Sequence, residues 1–450
     1  MDPKNKLGAM PVRPLLYTMA VPLMLSLLIQ SLYNIVDSIF VARLSETALT
    51  AASLVYAIQF LMIAIGVGTA VGLNALLSRK LGQKKPEEAC RAATTGLFLM
   101  LGTSLVFTLV GLLFSNQIAA ALTNDPELQQ LCREYLSVNL VFCWGIFLQT
   151  YGQRLLQAVG DTVLSMISLI IGAVVNIILD PIMIFGLLGC PAMGIAGAAI
   201  ATVIGQIGGM TLGLVLNQAK NVELRLHLKG FRPNKTILKG ILDVGFPSII
   251  MQSISSVMNV LMNMILLGFG AMAVNVLGVY FKLQSFVFMP VFGLSNGLVA
   301  ILGYNYGARM RARVYDALKV ALIWACVIML LGTIAFLLIP ETLLSLFEAG
   351  DARDLTDMGV VALRVISLGF LLAAVGITIS TLFQAVGKGM YSLRMSLCRQ
   401  IIVLLPVAWL LSKTGNVDAV WWSFPVAELF SVALCLLLYR RVDRNMLQKL

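Results

Sequence analysis

The sequence predicts an all-α polytopic membrane protein of twelve transmembrane helices, in two six-helix lobes related by an internal repeat. Apolar residues make up 59% of the 450-residue chain and charged residues only 12%, whereas soluble proteins carry about 25%. Runs long enough to cross a bilayer, roughly 20 residues each, follow one another along the chain. The two halves also align with one another at a nearly constant offset.

The apolar runs place helices over 15–40, 50–78, 92–114, 133–158, 163–187, 193–216, 241–267, 273–303, 315–339, 359–386, 391–412 and 419–440. The opening stretch "MDPKNKLGAMPVRP" is polar and basic, and the run behind it is too long for a signal-peptide core. The first span is therefore expected to stay in the protein as an anchor. Lys and Arg alternate between successive connections. One side collects Arg79, Lys80, Lys84, Lys85 and Arg91, the 217–240 segment, Arg309, Arg311 and Arg313, and the tail with Arg440 and Arg441. The other side is acidic, with Asp125, Glu127, Glu341 and Asp351. By the positive-inside rule both termini are cytoplasmic, so the number of spans is even.

The formal charge of +11 sits in these short loops, where it reads as an orientation signal and not as a nucleic-acid surface. The bilayer is the expected partner. Seven scattered cysteines form no CxxC pair, and His227 is the single histidine, which argues against a Cys/His metal site. No HExxH, G-x-S-x-G or Walker motif is present, so neither an intramembrane enzyme nor a nucleotide-driven pump is expected. No cofactor is called for.

An offset of 225 brings Pro22 onto Pro247, Asn34 onto Asn259, and Gly68, Gly72 and Gly82 onto Gly293, Gly297 and Gly307. With an offset of 227, "LQAVG" (Leu156–Gly160) meets "FQAVG" (Phe383–Gly387). The expected organisation is an N-lobe over 1–216, a basic cytoplasmic linker over 217–240 and a C-lobe over 241–450. Each repeat holds an even number of spans, so both have the same topology, as in parallel-repeat transporters. Transport by alternating access is the expected function class.

Ionisable groups at membrane depth are expensive and point to function. Asp37, Asp180, Lys282 and Glu428 fall inside predicted spans. Gln30 and Asn34 share a helical face with Asp37, Asn176 lies one turn from Asp180, and Thr202 and Gln206 lie four apart on the next helix. Residue counting brings Asp37, Asp180 and Thr202 to one depth. Pro181, directly after Asp180, removes a backbone N–H and predicts a kink that exposes the Ile177 carbonyl. A carboxylate beside such a kink suits a cation or a proton. The repeat places Met262 opposite Asp37, and Leu405 or Val407 opposite Asp180, so coupling is expected in the first half. Lys282 and Glu428 are candidates for a buried salt bridge or for the substrate cleft, with Gln30, Asn34 and Gln206 as further cleft candidates.

Three segments carry a resemblance: "QSLYNIVDSIFVARL" (Gln30–Leu44), "NIILDPIMIFG" (Asn176–Gly186) and "FKLQSFVFMPVFGLSNGLVAILGYNYGAR" (Phe281–Arg309). They resemble the multidrug and toxic compound extrusion family, in its bacterial branch with acidic residues in the N-lobe. The resemblance implies a V of two six-helix lobes in a bacterial inner membrane, acting as a monomer. It implies export of amphipathic, mostly cationic compounds in exchange for H⁺ or Na⁺, with H⁺ favoured here because two nearby acids share a proton readily. It assigns coupling to Asp37, Asn176, Asp180 and Thr202, with Asp37, Asn176 and Asp180 as the ligands were the ion Na⁺, and matches Lys282 to a basic family position. Two departures stand out: Ala300 where the family often has proline, and Gln153–Arg154 where it often has asparagine. A flippase of lipid-linked precursors or polysaccharides is the alternative reading within the same superfamily.

Overall fold

The computed structural model describes residues 6–221, 224, 234–346 and 353–450. Much of the expected 217–240 linker, with His227, lies outside the described residues, as does Asp351. The described chain is helical. Ten helices are long and apolar enough to cross a membrane, and two bent helix pairs bring the number of spans to as many as twelve. Large apolar side chains stand exposed along them, among them Leu112, Leu113, Leu331 and Leu437. A water-facing surface would not tolerate so many, whereas lipid does. The protein is a multi-pass membrane protein.

In the first half the spans are α1 (Val12–Leu44), α2 (Glu46–Gly82), α3 (Pro86–Leu122), the pair α4 (Pro126–Val141) and α5 (Trp144–Ala158), α6 (Thr162–Phe185) and α7 (Gly194–Lys220). In the second they are α8 (Lys235–Leu267), α9 (Ala271–Gly307), α10 (Arg311–Leu338), and the pair α11 (Arg353–Ser367) and α12 (Phe370–Ala385). The last two spans are Gly389–Ser412, which contains a π-helical stretch at Cys398–Leu404, and the Val417–Leu447 segment around α13 (Ser423–Val442).

The internal repeat is written into the backbone. Helices α2 and α9 are both 37 residues long, and both their starts and their ends are offset by 225. Each ends in a non-glycine residue in the left-handed region, Lys84 at φ 57° and Arg309 at φ 58°. Each is closed by a bond from the following N–H back five residues, Lys85 to Lys80 (3.1 Å) and Met310 to Asn305 (2.9 Å), the pattern that satisfies helix-end carbonyls.

The fourth span of each half departs from expectation. The runs 133–158 and 359–386 each predicted a single helix, yet each is broken. α4 and α5 meet at 43°, and the equivalent pair, Leu355–Ser367 with Phe370–Ala385, at 48°. Carbonyls at the two breaks find matching partners on a neighbouring helix: the Thr108 hydroxyl donates to the Val141 carbonyl (3.0 Å), and that of Thr333 to the Ser367 carbonyl (3.2 Å). These threonines are again 225 residues apart. A neighbouring side chain that satisfies a freed backbone group lets a helix break at membrane depth.

The chain divides into two compact units. One comprises Met1–Met24 with Phe246–Leu450, the other Leu25–Gly245. Helices α1 and α8 therefore each begin on one unit and end on the other, changing over within three residues of Pro22 and Pro247. Aligned glycines seat these helices, each contact lying within one unit. A Cβ on Gly293 would stand 2.5 Å from Met24, and one on Gly72 would stand 2.1 Å from the Ile241 carbonyl oxygen. Bare backbone at these points lets the crossing helix lie directly against α9 or α2.

Candidate functional site

Helix α6 holds Asn176 and Asp180 one turn apart and runs on through Pro181 to Phe185. It continues unbroken, but proline leaves the Ile177 carbonyl without its intrahelical donor. The chain turns at Gly186, whose φ of 73° needs a glycine. A bond from Met193 N–H to the Met183 carbonyl (2.9 Å) closes the turn into α7. Small residues on α7 (Gly197, Ala201, Gly205, Gly209 and Gly213) then let α6 and α7 approach closely. A Cβ on Gly205 would lie 2.6 Å from the Gly172 carbonyl oxygen. This approach sets Thr202 against Asn176.

The Asn176 amide donates to Asp180 Oδ1 and to Thr202 Oγ1, each at 3.2 Å. The carboxyl groups of Asp37, on α1, and Asp180 lie within hydrogen-bonding reach of each other. Asp180 is fully buried, Asn176 is 2% exposed, and Asp37 is half-buried. Three side-chain oxygens of the cluster have no hydrogen-bond partner: Asp37 Oδ1, Asp180 Oδ2 and Asn176 Oδ1. Buried acceptors left this way are costly unless a proton or a cation satisfies them. Among the described residues, no cationic side chain does so. The donor set, two carboxylates, an amide carbonyl and a hydroxyl, is all oxygen and suits a proton or a hard monovalent cation.

The four residues expected to act together thus meet, on α1, α6 and α7. The surrounding tyrosines were not anticipated. Tyr33 and Tyr135 are within electrostatic reach of both acids. Tyr33 lies one turn from Asp37, a spacing visible in the sequence, whereas Tyr135 is brought in by α4. Among the described residues, no hydrogen bond joins Gln30, Asn34 or Gln206 to the cluster. Asn34 is exposed, Gln30 is half-buried, and Gln206 lies beside Gly145.

The anticipated pairing of Lys282 with Glu428 needs correction. Glu428 is bonded instead to Arg399 Nη1, at 3.2 Å, and Lys282 is exposed. Depth counted along helices placed Lys282 and Glu428 at one level but carries no information on which way each helix face turns. Arg399 lies eight residues inside the predicted 391–412 run, close enough to its basic flank to read as an end residue.

The family model MatE matches residues 22–182 and again 247–410, once per repeat. The chain belongs to the MatE family. It is 27% identical over 436 residues to the multidrug export protein MepA of Staphylococcus aureus, covering 96% of this chain and 95% of that one. The MepA of Staphylococcus haemolyticus is 26% identical over 410 residues, 91% and 89% of the two chains. Among solved structures, a MATE protein in the straight conformation matches with a TM-score of 0.92 and 25% identity over 99% of both chains. An outward-facing multidrug resistance MATE transporter of the MOP superfamily matches in fold, with a TM-score of 0.92 and 24% identity over 99% of both chains. This chain is a MATE transporter of two six-helix repeats.

Proposed function

We propose that this MATE transporter is a multidrug exporter that expels amphipathic, mostly cationic compounds in exchange for protons, with Na⁺ as the alternative coupling ion. The observation that carries the reading is the trio of unpartnered oxygens on Asp37, Asp180 and Asn176. Two carboxylates this close, with no cationic side chain beside them among the described residues, hold one proton between them more readily than two negative charges. A cationic substrate and a proton then compete for the same negative charge. Competition of this kind is what antiport requires, because the two ligands bind in alternation and not together. The second half has Met262 at the position of Asp37, so coupling rests on the first half alone.

Flux measurement in proteoliposomes tests the reading. Ethidium movement is followed with a pH gradient imposed alone and with a Na⁺ gradient imposed alone. Acceleration by the pH gradient is expected. Acceleration by the Na⁺ gradient alone assigns the same cluster to Na⁺, and flux that responds to neither removes ion coupling.

A further inference from the structure

We propose that Arg399 and Glu428 form a second recognition site, for amphipaths that carry a carboxylate and an organic cation in one molecule. The proposal rests on the reading of the chain as an exporter of organic compounds. Both residues lie inside spans, Arg399 on the π-helical stretch Cys398–Leu404 and Glu428 on α13. π-Helical turns in membrane helices recur at functional sites because they turn one residue out of the regular face.

The contact between them is spare. A single hydrogen bond, Nη1 to Oε1 at 3.2 Å, joins the pair. A guanidinium has five N–H donors, and among the described residues the others engage no protein group. The side chains remain 30% and 16% exposed. Charges at membrane depth face the bundle interior or water-filled space and not lipid, and the exposed part of this pair is where the proposal places the ligand. Gly369, at the break between α11 and α12, borders Glu428: a Cβ there would stand 3.2 Å from its Cγ. One turn before Glu428, Phe424 packs on the core residue Tyr280 (5.9 Å between centroids), which holds this part of α13 in place beside the pair.

Charge balance selects the ligand class. A lone organic cation that took Glu428 would strand Arg399 without a counter-charge, and a lone anion on Arg399 would strand Glu428. Breaking a buried pair from one side is strongly unfavourable. A molecule bringing both charges satisfies both residues as the pair opens. The cluster at Asp37 and Asp180 is different, because it holds two acids with no base and suits a ligand of net positive charge. Charged sites of two kinds, one in each repeat, would let a single transporter accept cations and zwitterions.

Rhodamine 110 and its methyl ester, rhodamine 123, form a matched pair of probes. They share the cationic ring system, and the ester lacks the carboxylate. Equilibrium binding to the purified full-length protein is read by fluorescence polarisation, which requires no ion coupling, so its outcome stands apart from that of the flux test. Arg399→Gln is expected to weaken rhodamine 110 about tenfold or more, the size of one charge-assisted contact, and to leave rhodamine 123 undiminished or strengthened, because Glu428 is then free of its counter-charge. Arg399→Lys should restore most of the difference. Should Arg399→Gln fold poorly, the double variant Arg399→Gln with Glu428→Gln strands no charge and is expected to show the same selective loss. Equal effects on both dyes, no effect on either, or no binding of rhodamine 110 by the unaltered protein would each overturn the proposal.

Discussion

Asp180→Asn is expected to insert and fold nearly normally and to lose gradient-driven export. Asparagine has almost the shape of the protonated aspartate, and its side-chain oxygen can still accept from the Asn176 amide, now at 3.2 Å. No charge is stranded by the change, so the fold should tolerate it. The cycle should not, because the variant is held permanently in the protonated form. Ethidium efflux driven by a pH gradient should fall to the level of protein-free vesicles at matched protein amounts. Asp37→Asn should behave alike, and the double variant should be no worse than either single one, since residues acting as one unit are not additive. Near-normal efflux by Asp180→Asn would leave that carboxylate a packing residue.

Gly205→Leu is expected to disrupt both the fold and the site, although it touches no charged group. Its Cβ would stand 2.6 Å from the Gly172 carbonyl oxygen and 3.0 Å from Asn176 Cβ. The nearest obstacle is backbone, so α6 and α7 must part. Overpacking of this kind costs about 1–3 kcal/mol, and the separation pulls Thr202, one turn away, from Asn176. Gly208→Leu is the control, because a Cβ there meets nothing within 4 Å. Thermal unfolding in detergent, read together with efflux, should show Gly205→Leu lowered in both and Gly208→Leu unchanged. Equal tolerance of the two would mean that close approach of α6 and α7 does not build the site.

Much of this architecture is legible in the chain. Composition and the alternation of basic loops yield the spans, because bilayer thickness and charge placement act on residues locally. The repeat shows through glycine and proline, whose backbone roles few other residues can fill. The four cluster residues stand out because Asp37 and Asp180 are rare at membrane depth, and helical spacing then brings Asn176 to one face. What was hidden depends on neighbours far along the chain. The breaks at Val141 and Ser367 interrupt apolar runs without a proline, and the carbonyls there rely on Thr108 and Thr333 from another helix. Pro22 and Pro247 are plain to see, but which unit receives the helix before each is decided by packing on Gly72 and Gly293. The partner of Glu428 was misassigned because residue counting fixes depth and not azimuth. Tyr135 was missed because a buried tyrosine, common in any helical core, gains significance only beside an acid.

Substrate and proton contend for the same pair of carboxylates. Proton release on substrate binding measures this directly. Ethidium is added to the purified protein in weakly buffered solution containing a pH indicator, near the pH at which the pair holds its proton. Release is expected to approach about one proton per ethidium bound, as reciprocal linkage requires of mutually exclusive ligands, with none from Asp37→Asn or Asp180→Asn. Binding without proton release at any pH, or undiminished release from both variants, would contradict it.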